Sequence, residues 1–471
     1  MAGTLYFLGS AALLLLGYFV YGAFIERVFG ADASRPTPVQ QRQDGVDFQK
    51  MPRYKIFLIQ FLNIAGLGPV VGTILGALYG PAALLWVVFG SIFAGAVHDY
   101  CSAMMSLRSG GASYPELVGR SFGKYVRRFM DVFTIIFLIM AGSVFALGPA
   151  QLLASMTPCS LLFWSAVIFA YYFLATVMPI DMIIGRIYPY FGLLLLLTTL
   201  ALAAALLVGD KPILPNLDFF TNVNPRGLPM WPLLFVTISC GAISGVHATQ
   251  SPLMTRCVAS EKDCRLLFYG PMIAEGLIGL IWVTLGLSFY ESSEALQQVI
   301  STGSPMLVVK QVAMEMLGSV GGILAILGVI VLPISSGDTA FRAVRLLAAD
   351  ALQMDQRPVG RRLLLSVPFF AAGILLTQVD FGVIWRYFGW INQVMSSVTL
   401  WAISIYLARH GRLYWVSAIP GVFMTAVCVT YLCSAGIGLG MDMTISTAIG
   451  VAASFFCLLA FLKYIRGHRG E

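Results

Sequence analysis

The sequence predicts an all-α integral membrane protein, a single bundle of about thirteen membrane-crossing helices. Three observations predict it. Apolar residues make up 58% of the 471 positions, charged residues only 11%, and mean hydropathy is +0.84. A soluble protein of this length has no way to hide that much apolar surface. Apolar runs of about 20 residues, the length that crosses a hydrocarbon core about 30 Å thick, recur from end to end. Lysine and arginine are confined to alternate polar breaks between those runs.

The breaks divide the chain into spans at residues 4–26, 55–79, 82–107, 129–154, 160–178, 186–209, 230–251, 266–290, 319–341, 361–379, 382–408, 413–434 and 442–465. The first run, Leu5 to Phe24, has no basic leader and is followed by another crossing, so it reads as a true span rather than a cleaved signal. Segment 303–317 is too short and too charged to cross, and is expected as a short helix in an outer loop. With no long polar stretch for a separate soluble domain, residues 1–471 form one membrane domain. Its parts are an N-terminal extra span (1–26), two five-span units (55–209 and 230–408) and a trailing pair with its tail (413–471).

With the N-terminus outside, the inner stretches are 26–55, 107–128, 179–187, 252–266, 342–362, 408–413 and the C-terminal tail. They hold all of the 29 lysines and arginines except Lys211, Arg226, Lys310 and Arg386. A wrong span count would scramble this alternation. The pI near 9.0 therefore reports topology, with the C-terminus cytoplasmic, and no nucleic-acid partner is expected. The longest inner loop, 27–54, is charged and proline-containing. It is expected to be loosely ordered and open to a small cytoplasmic partner protein. The eight cysteines show no CxxC or other metal-ligand spacing, so neither a metal nor a cofactor is expected.

Two spans are interrupted. "FLNIAGLGPVVGTILGALYG", Phe61 to Gly80, carries Asn63, Gly66, Gly68 and Pro69 at its centre. Five spans later, "FVTISCGAISGVHATQSPLMTR", Phe235 to Arg256, carries Gly241, Ser244, Gly245, His247, Thr249 and Gln250. Backbone groups freed in lipid cost several kcal/mol unless something satisfies them. Two such breaks, each opening a five-helix unit and entering from opposite sides, point to an inverted-repeat transporter whose substrate lies between them. Close packing through small residues would account for the glycines alone. It does not account for Asn63, His247 and Gln250.

Other polar groups sit deep in spans: His98 and Asp99 in "GAVHDYCS", Glu275 in "GPMIAEGLIG", and Ser335, Ser336, Asp338 and Thr339 in "VLPISSGDTAFRAVRLL". Carboxylates at such depth face a wet cavity or a partner. Asp338 has a plain structural partner in Arg342, four residues on. His98 and Asp99 have one in a helix-to-helix hydrogen bond, and Glu275 in burial as a hydrogen-bonded acid. His247 is the strongest functional candidate, being titratable near neutral pH inside a broken span. His410 and His468 fall in cytoplasmic charge clusters with no implied chemistry.

Five ordered stretches resemble the carbon starvation protein CstA family, and the resemblance covers most of the chain. "NIAGLGPVVGTILGALYG" resembles its IAGAGP stretch and "GSIFAGAVHDY" its LAGAVQDF segment. "SCGAISGVHATQS" is similar to CGAISGFHALxS, the most specific match. "SSGDTAFRAVRLLAAD" resembles VDAGTRAxRFMLQD, and "FGWINQVMSS" resembles FGIANQML. Departures are Phe61–Leu62 in place of a histidine pair, His98 in place of glutamine, and Arg386–Tyr387 where the family has a proline-containing WPLFG. The chain also lacks the extra C-terminal spans of longer members, so it resembles the short branch.

The resemblance implies a LeuT-like five-plus-five fold with two discontinuous helices. It also implies cation-coupled import of small organic nutrients, pyruvate or peptides, across the cell inner membrane under carbon starvation. Substrate contacts are then expected from Asn63, Gly66, Gly68, Gly241, Ser244, His247, Gln250 and Arg386. Coupling is expected from Asp99, Glu275, Ser335, Ser336, Asp338 and Thr339. The coupling ion is a proton if Asp338 or Asp99 carries it. It is sodium if the Ser335 and Ser336 hydroxyls join carbonyls near Ala65–Gly68. A passive channel or facilitator, and a sodium-coupled amino-acid transporter, are the competing functions. A membrane enzyme or receptor would need a metal cluster, a nucleotide loop or an effector domain, and the sequence carries none of these motifs.

Overall fold

The computed structural model describes residues 2–45, 47–178 and 184–467. His468 lies outside the described residues, as do positions 179–183 of the predicted inner connection 179–187. The described residues form helices and loops, with no strand among them. Ten helices are long and apolar enough to cross a membrane, or eleven if the bent pair Arg53–Ala65 and Gly68–Ala77 is one crossing. The two other predicted spans are the shorter helix Leu161–Val177 and the pair Met230–Thr237 and Gly245–Thr255. Large apolar side chains such as Leu5, Phe19, Leu162, Leu364 and Phe456 stay exposed around the bundle, as lipid-facing positions do.

Both predicted breaks are present. The first helix stops at Ala65, Gly66 takes φ +47°, and the chain resumes after a 51° bend. The second stops at Thr237 and resumes at Gly245, with Gly241 at φ +85°. Positive φ is strained for any residue with a Cβ, so glycine is required at both bends. The two breaks touch: a Cβ on Gly68 would lie 1.7 Å from the Cys240 Cβ.

The helix Pro305–Ala351 is kinked at Gly318, φ +68°, so the expected short helix over 303–317 exists as its first arm. A further helix, Ser293–Gly303, precedes it and carried no sequence signal of its own. Beyond the kink, residues 319–351 rise about 50 Å, well past a hydrocarbon core of about 30 Å. The Arg342–Ala351 end therefore reaches the face that holds the inner loop.

The described residues of that loop are held in place, and the expectation that 27–54 is loosely ordered is corrected for them. Arg108 grips Glu261 with two bonds of 2.9 Å and donates to Gly30 O at 2.7 Å. Thr37 and Gln40 cap a one-turn helix at Pro38–Gln41, and Gln40 reaches Ala259 O at 3.0 Å. Phe48 lies between the guanidiniums of Arg42 and Arg256, at 4.3 and 5.1 Å. Asp47 is buried. Hydropathy missed this because the holding forces are arginine contacts rather than apolar runs.

Candidate functional site

The second break is an accounting problem in hydrogen bonds, and neighbouring side chains solve it. Asn392, buried in the helix Phe381–Arg409, accepts from Val246 N at 2.9 Å and from Ser244 Oγ at 3.1 Å, and donates to Ser239 O. Gln393 donates to Phe235 O at 2.7 Å. Trp86 Nε1 reaches Ile238 O at 3.3 Å, and Ser91 Oγ reaches Gly241 O at 2.9 Å. The Gly241 N–H donates to Glu275 Oε1 at 2.8 Å. Sequence reading missed Trp86, Ser91, Asn392 and Gln393 as site residues. The adjacent amides in "FGWINQVMSS" were the available signal. Asn392→Ala would leave two buried backbone groups, Val246 N–H and Ser239 O, without partners, at about 1–3 kcal/mol each, and would take the acceptor from Ser244 Oγ. Thermal unfolding in detergent is expected to show a loss of about 3 kcal/mol or more, among the largest for any single polar substitution.

Through Glu275 the second break joins a buried polar chain. His98 Nδ1 and His247 Nδ1 each lie 2.8 Å from a different oxygen of Asp99. On the far side of its ring, His247 Nε2 lies 3.1 Å from Ile64 O and 3.4 Å from Glu275 Oε2. Ile64 O only accepts, so Nε2 carries a hydrogen. The mobile proton of this chain is then the one between His247 Nδ1 and Asp99. All four side chains are fully buried. One histidine thus ties the first break to the second, and ties both to two carboxylates from neighbouring helices.

Spacing along the chain indicated no metal ligands, yet the fold places donor atoms of Cys240, His247 and Glu275 within 4.8 Å of one another. The hydrogen of Nε2 already points among acceptors, so a metal would have to displace it. Cys240 Sγ lies 3.9 Å from His247 Nε2, and Glu275 Oε2 stands 3.4 Å from Nε2 without a hydrogen bond of its own. Cys240 Sγ also donates to Ser244 Oγ at 3.0 Å.

The remaining predicted residues separate into groups. Asn63 and Gln250, one on each broken span, are fully buried, and neither end of either amide has a hydrogen-bond partner. Their helices pack together, with Gln60 donating to Ser251 Oγ at 3.2 Å. Gly66 faces the Phe145 ring and the Ser336 hydroxyl. Ser335 and Ser336 donate to Leu62 O at 3.2 and 3.0 Å, so the serines bond the first broken helix at Leu62 while Ser336 also lies against Gly66. Thr339 turns back onto Ser335 O and Ser336 O of its own helix.

The Asp338–Arg342 pair is corrected. Asp338 accepts from the Tyr171 hydroxyl at 3.0 Å and from the Tyr188 hydroxyl, away from the breaks. Arg342 donates to Ala175 O, to Met178 O at 2.9 Å, and across 3.5 Å to Asp47. Packing between helices outweighs the weak local preference of an i,i+4 pair.

Arg386 does not join His247. It is exposed and lines a cavity of about 230 Å³ with Asn224, Arg226, Gln297, Trp385 and Tyr431, on the face opposite the inner loop. The floor of that cavity includes Leu75, Val236 and Thr237, from the arms of both broken spans.

Two helices broken at one contact, with buried titratable groups across it, define a membrane transporter rather than an enzyme. Solved transporters share the fold. A manganese transporter from Eremococcus coleocola superposes with a TM-score of 0.56 at 11% identity, covering 90% of this chain and 99% of its own. MhsT in complex with L-phenylalanine superposes with 0.56 at 14% identity, covering 88% and 99%.

Residues 2–164, 149–288 and 290–431 match the family described as carbon starvation protein CstA, and the chain belongs to that family. An uncharacterized membrane protein from Haemophilus influenzae is 43% identical over 64% of this chain and 96% of its own. The peptide transporter CstA of Campylobacter jejuni is 25% identical over 88% of this chain and 78% of its own. The pyruvate/proton symporter BtsT of Escherichia coli is 26% identical over 58% of this chain and 47% of its own.

Proposed function

We propose that this chain is a proton-coupled symporter that imports small carboxylate-bearing nutrients, such as pyruvate or short peptides, during carbon starvation. The observation that carries this reading is the chain His98–Asp99–His247–Glu275, which runs from one broken helix to the other. A solute seated between the breaks would meet the idle amides of Asn63 and Gln250. A proton moving between Asp99 and His247 would then change the hydrogen bonds that hold both breaks.

In this reading Leu161–Val177 and the pair Met230–Thr237 with Gly245–Thr255 also cross, which brings the count to thirteen. Residues 55–209 and 230–408 are then the inverted repeats. The N-terminus is outside, the C-terminus is cytoplasmic, and the membrane is the cell inner membrane, as the segregation of arginine and lysine supports. The cavity at Arg386 is the outer vestibule, where Arg226 and Arg386 draw in anions.

The test is uptake of labelled pyruvate, lactate, amino acids and di- and tripeptides into proteoliposomes under imposed proton or sodium gradients. Absence of gradient-driven accumulation for every solute would overturn the reading. Arg386→Ala is expected to raise the half-saturating concentration of a carboxylate solute by roughly tenfold, about 1.4 kcal/mol, with little change in maximal rate. Unchanged saturation would remove Arg386 from the entry path.

Sodium coupling has one observation in its favour. The hydroxyls of Ser335 and Ser336 converge on Leu62 O and Leu332 O, an all-oxygen cluster beside the first break.

A further inference from the structure

The inner end of the long helix holds more buried positive charge than its neighbours balance. Arg342, Arg345 and Arg362 are all buried, at 1%, 0% and 5% exposure. The carboxylate among them is Asp47, 3.5 Å from Arg342 and 3.8 Å from Arg345. Arg362 and Arg256 also lie close enough to Arg345 to repel it. Arg345 spends Nη1 on Gln356 at 2.9 Å, while its Nε and Nη2 make no hydrogen bond. Nε and Nη1 of Arg362 and Nε of Arg342 are likewise unbonded. Of the other carboxylates nearby, Asp44 accepts from the Asp47 and Phe48 backbone, Asp350 lies at the exposed end of the helix, and Asp338, one turn before Arg342 and close enough to attract it, is bonded by the Tyr171 and Tyr188 hydroxyls.

Buried guanidiniums are costly unless paired with good geometry. Asp47 is a poor partner by that measure. Charge-assisted bonds run about 2.7–2.9 Å. Arg108 and Glu261 reach 2.9 Å on the same face of this protein, whereas Asp47 stands well beyond that from both arginines. Asp47 is also the one member of the cluster that sits on a loop, whereas the arginines with unbonded nitrogens sit on helices.

We propose that Arg342, Arg345 and Arg362 form an inner oxyanion site for the carboxylate of the transported solute, which Asp47 occupies as a tethered stand-in while the inner face is closed. The identity of the ligand rests on the transport reading above; the site itself does not. When Asp47 withdraws, the solute carboxylate takes the guanidiniums in its place. Its departure lets Asp47 return and close the face.

The test uses purified full-length protein in detergent, with pyruvate, inorganic phosphate or chloride at constant ionic strength. In Asp47→Asn the site is vacated, so pyruvate is expected to raise the unfolding temperature by about 3 °C or more over chloride. Wild type should shift less, because Asp47 competes. Asp47→Asn combined with Arg345→Gln should lose the shift. A second measurement needs no variant: pyruvate should speed tryptic cleavage of wild type at the exposed Arg42 and Lys50 several-fold, because release of the buried Asp47 frees the backbone between them to enter the protease.

No pyruvate shift in Asp47→Asn together with unchanged cleavage of wild type overturns the proposal. So does a shift that survives Arg345→Gln. A shift with phosphate alone overturns its assignment to the solute. A pyruvate shift in a protein that fails to take up pyruvate keeps the site and overturns the transport reading. Uptake without shift or faster cleavage does the reverse.

Discussion

His247→Ala is expected to abolish gradient-driven uptake while leaving a folded protein. The expected loss is at least roughly a hundredfold, the scale of removing a group that passes a proton. The ring lies 2.8 Å from Asp99, 3.1 Å from Ile64 O and 3.4 Å from Glu275, and so brings Asp99 to both breaks. Removing it takes the partner from Ile64 O and from Asp99 Oδ2, at about 1–3 kcal/mol each, while His98 still holds Asp99 Oδ1. Trp86, Ser91, Asn392 and Gln393 still hold the second break. Asp99→Asn is expected to match the loss, since its amide is no proton acceptor for Nδ1. The measurement is initial uptake under a pH gradient, set beside thermal unfolding of the same preparations. Wild-type uptake by a well-folded His247→Ala protein would reduce the ring to a structural clamp.

That both spans break was legible because the signal is local. Glycine at 66 and 241 has a steric meaning that needs no partner, and polar residues inside an apolar run have an energetic one. What the breaks would rest on was not legible. Asp99, His247 and Glu275 lie on three separate spans, and the sequence offered each a separate role. Only the fold puts them in one chain. The same limit explains Asp338. Arg342 is its nearest opposite charge along the helix, but the tyrosines at 171 and 188 meet it from two other helices. The inner loop was misread for the converse reason. Asp47 looks like an ordinary loop acid until the helix beyond Gly318 carries Arg342 and Arg345 down to it.

The driving ion is where the geometry moves the expectation furthest. Asp338 is bonded by two tyrosine hydroxyls and has no contact with either break, so Asp338→Asn is expected to keep proton-driven uptake within about threefold of wild type. A carboxylate pinned between helices contributes chiefly to packing. The Ser336 hydroxyl does meet the first broken helix, at Leu62 O, besides turning back onto Leu332 O of its own helix. Those bonds already satisfy it, however, and no titratable group completes that cluster. Ser336→Ala is therefore expected to cost uptake about threefold or less in sodium-free buffer, from the loss of bonds worth about 1 kcal/mol. Asp99→Asn is the substitution expected to stop uptake, because Asp99 and His247 alone share a proton beside both breaks. The comparison is made in proteoliposomes with a pH gradient and no sodium, then with a sodium gradient and no pH difference. Accumulation that needs sodium, survives Asp99→Asn and disappears in Ser336→Ala would put the coupling ion in the serine and carbonyl cluster and leave the buried histidine chain as scaffold.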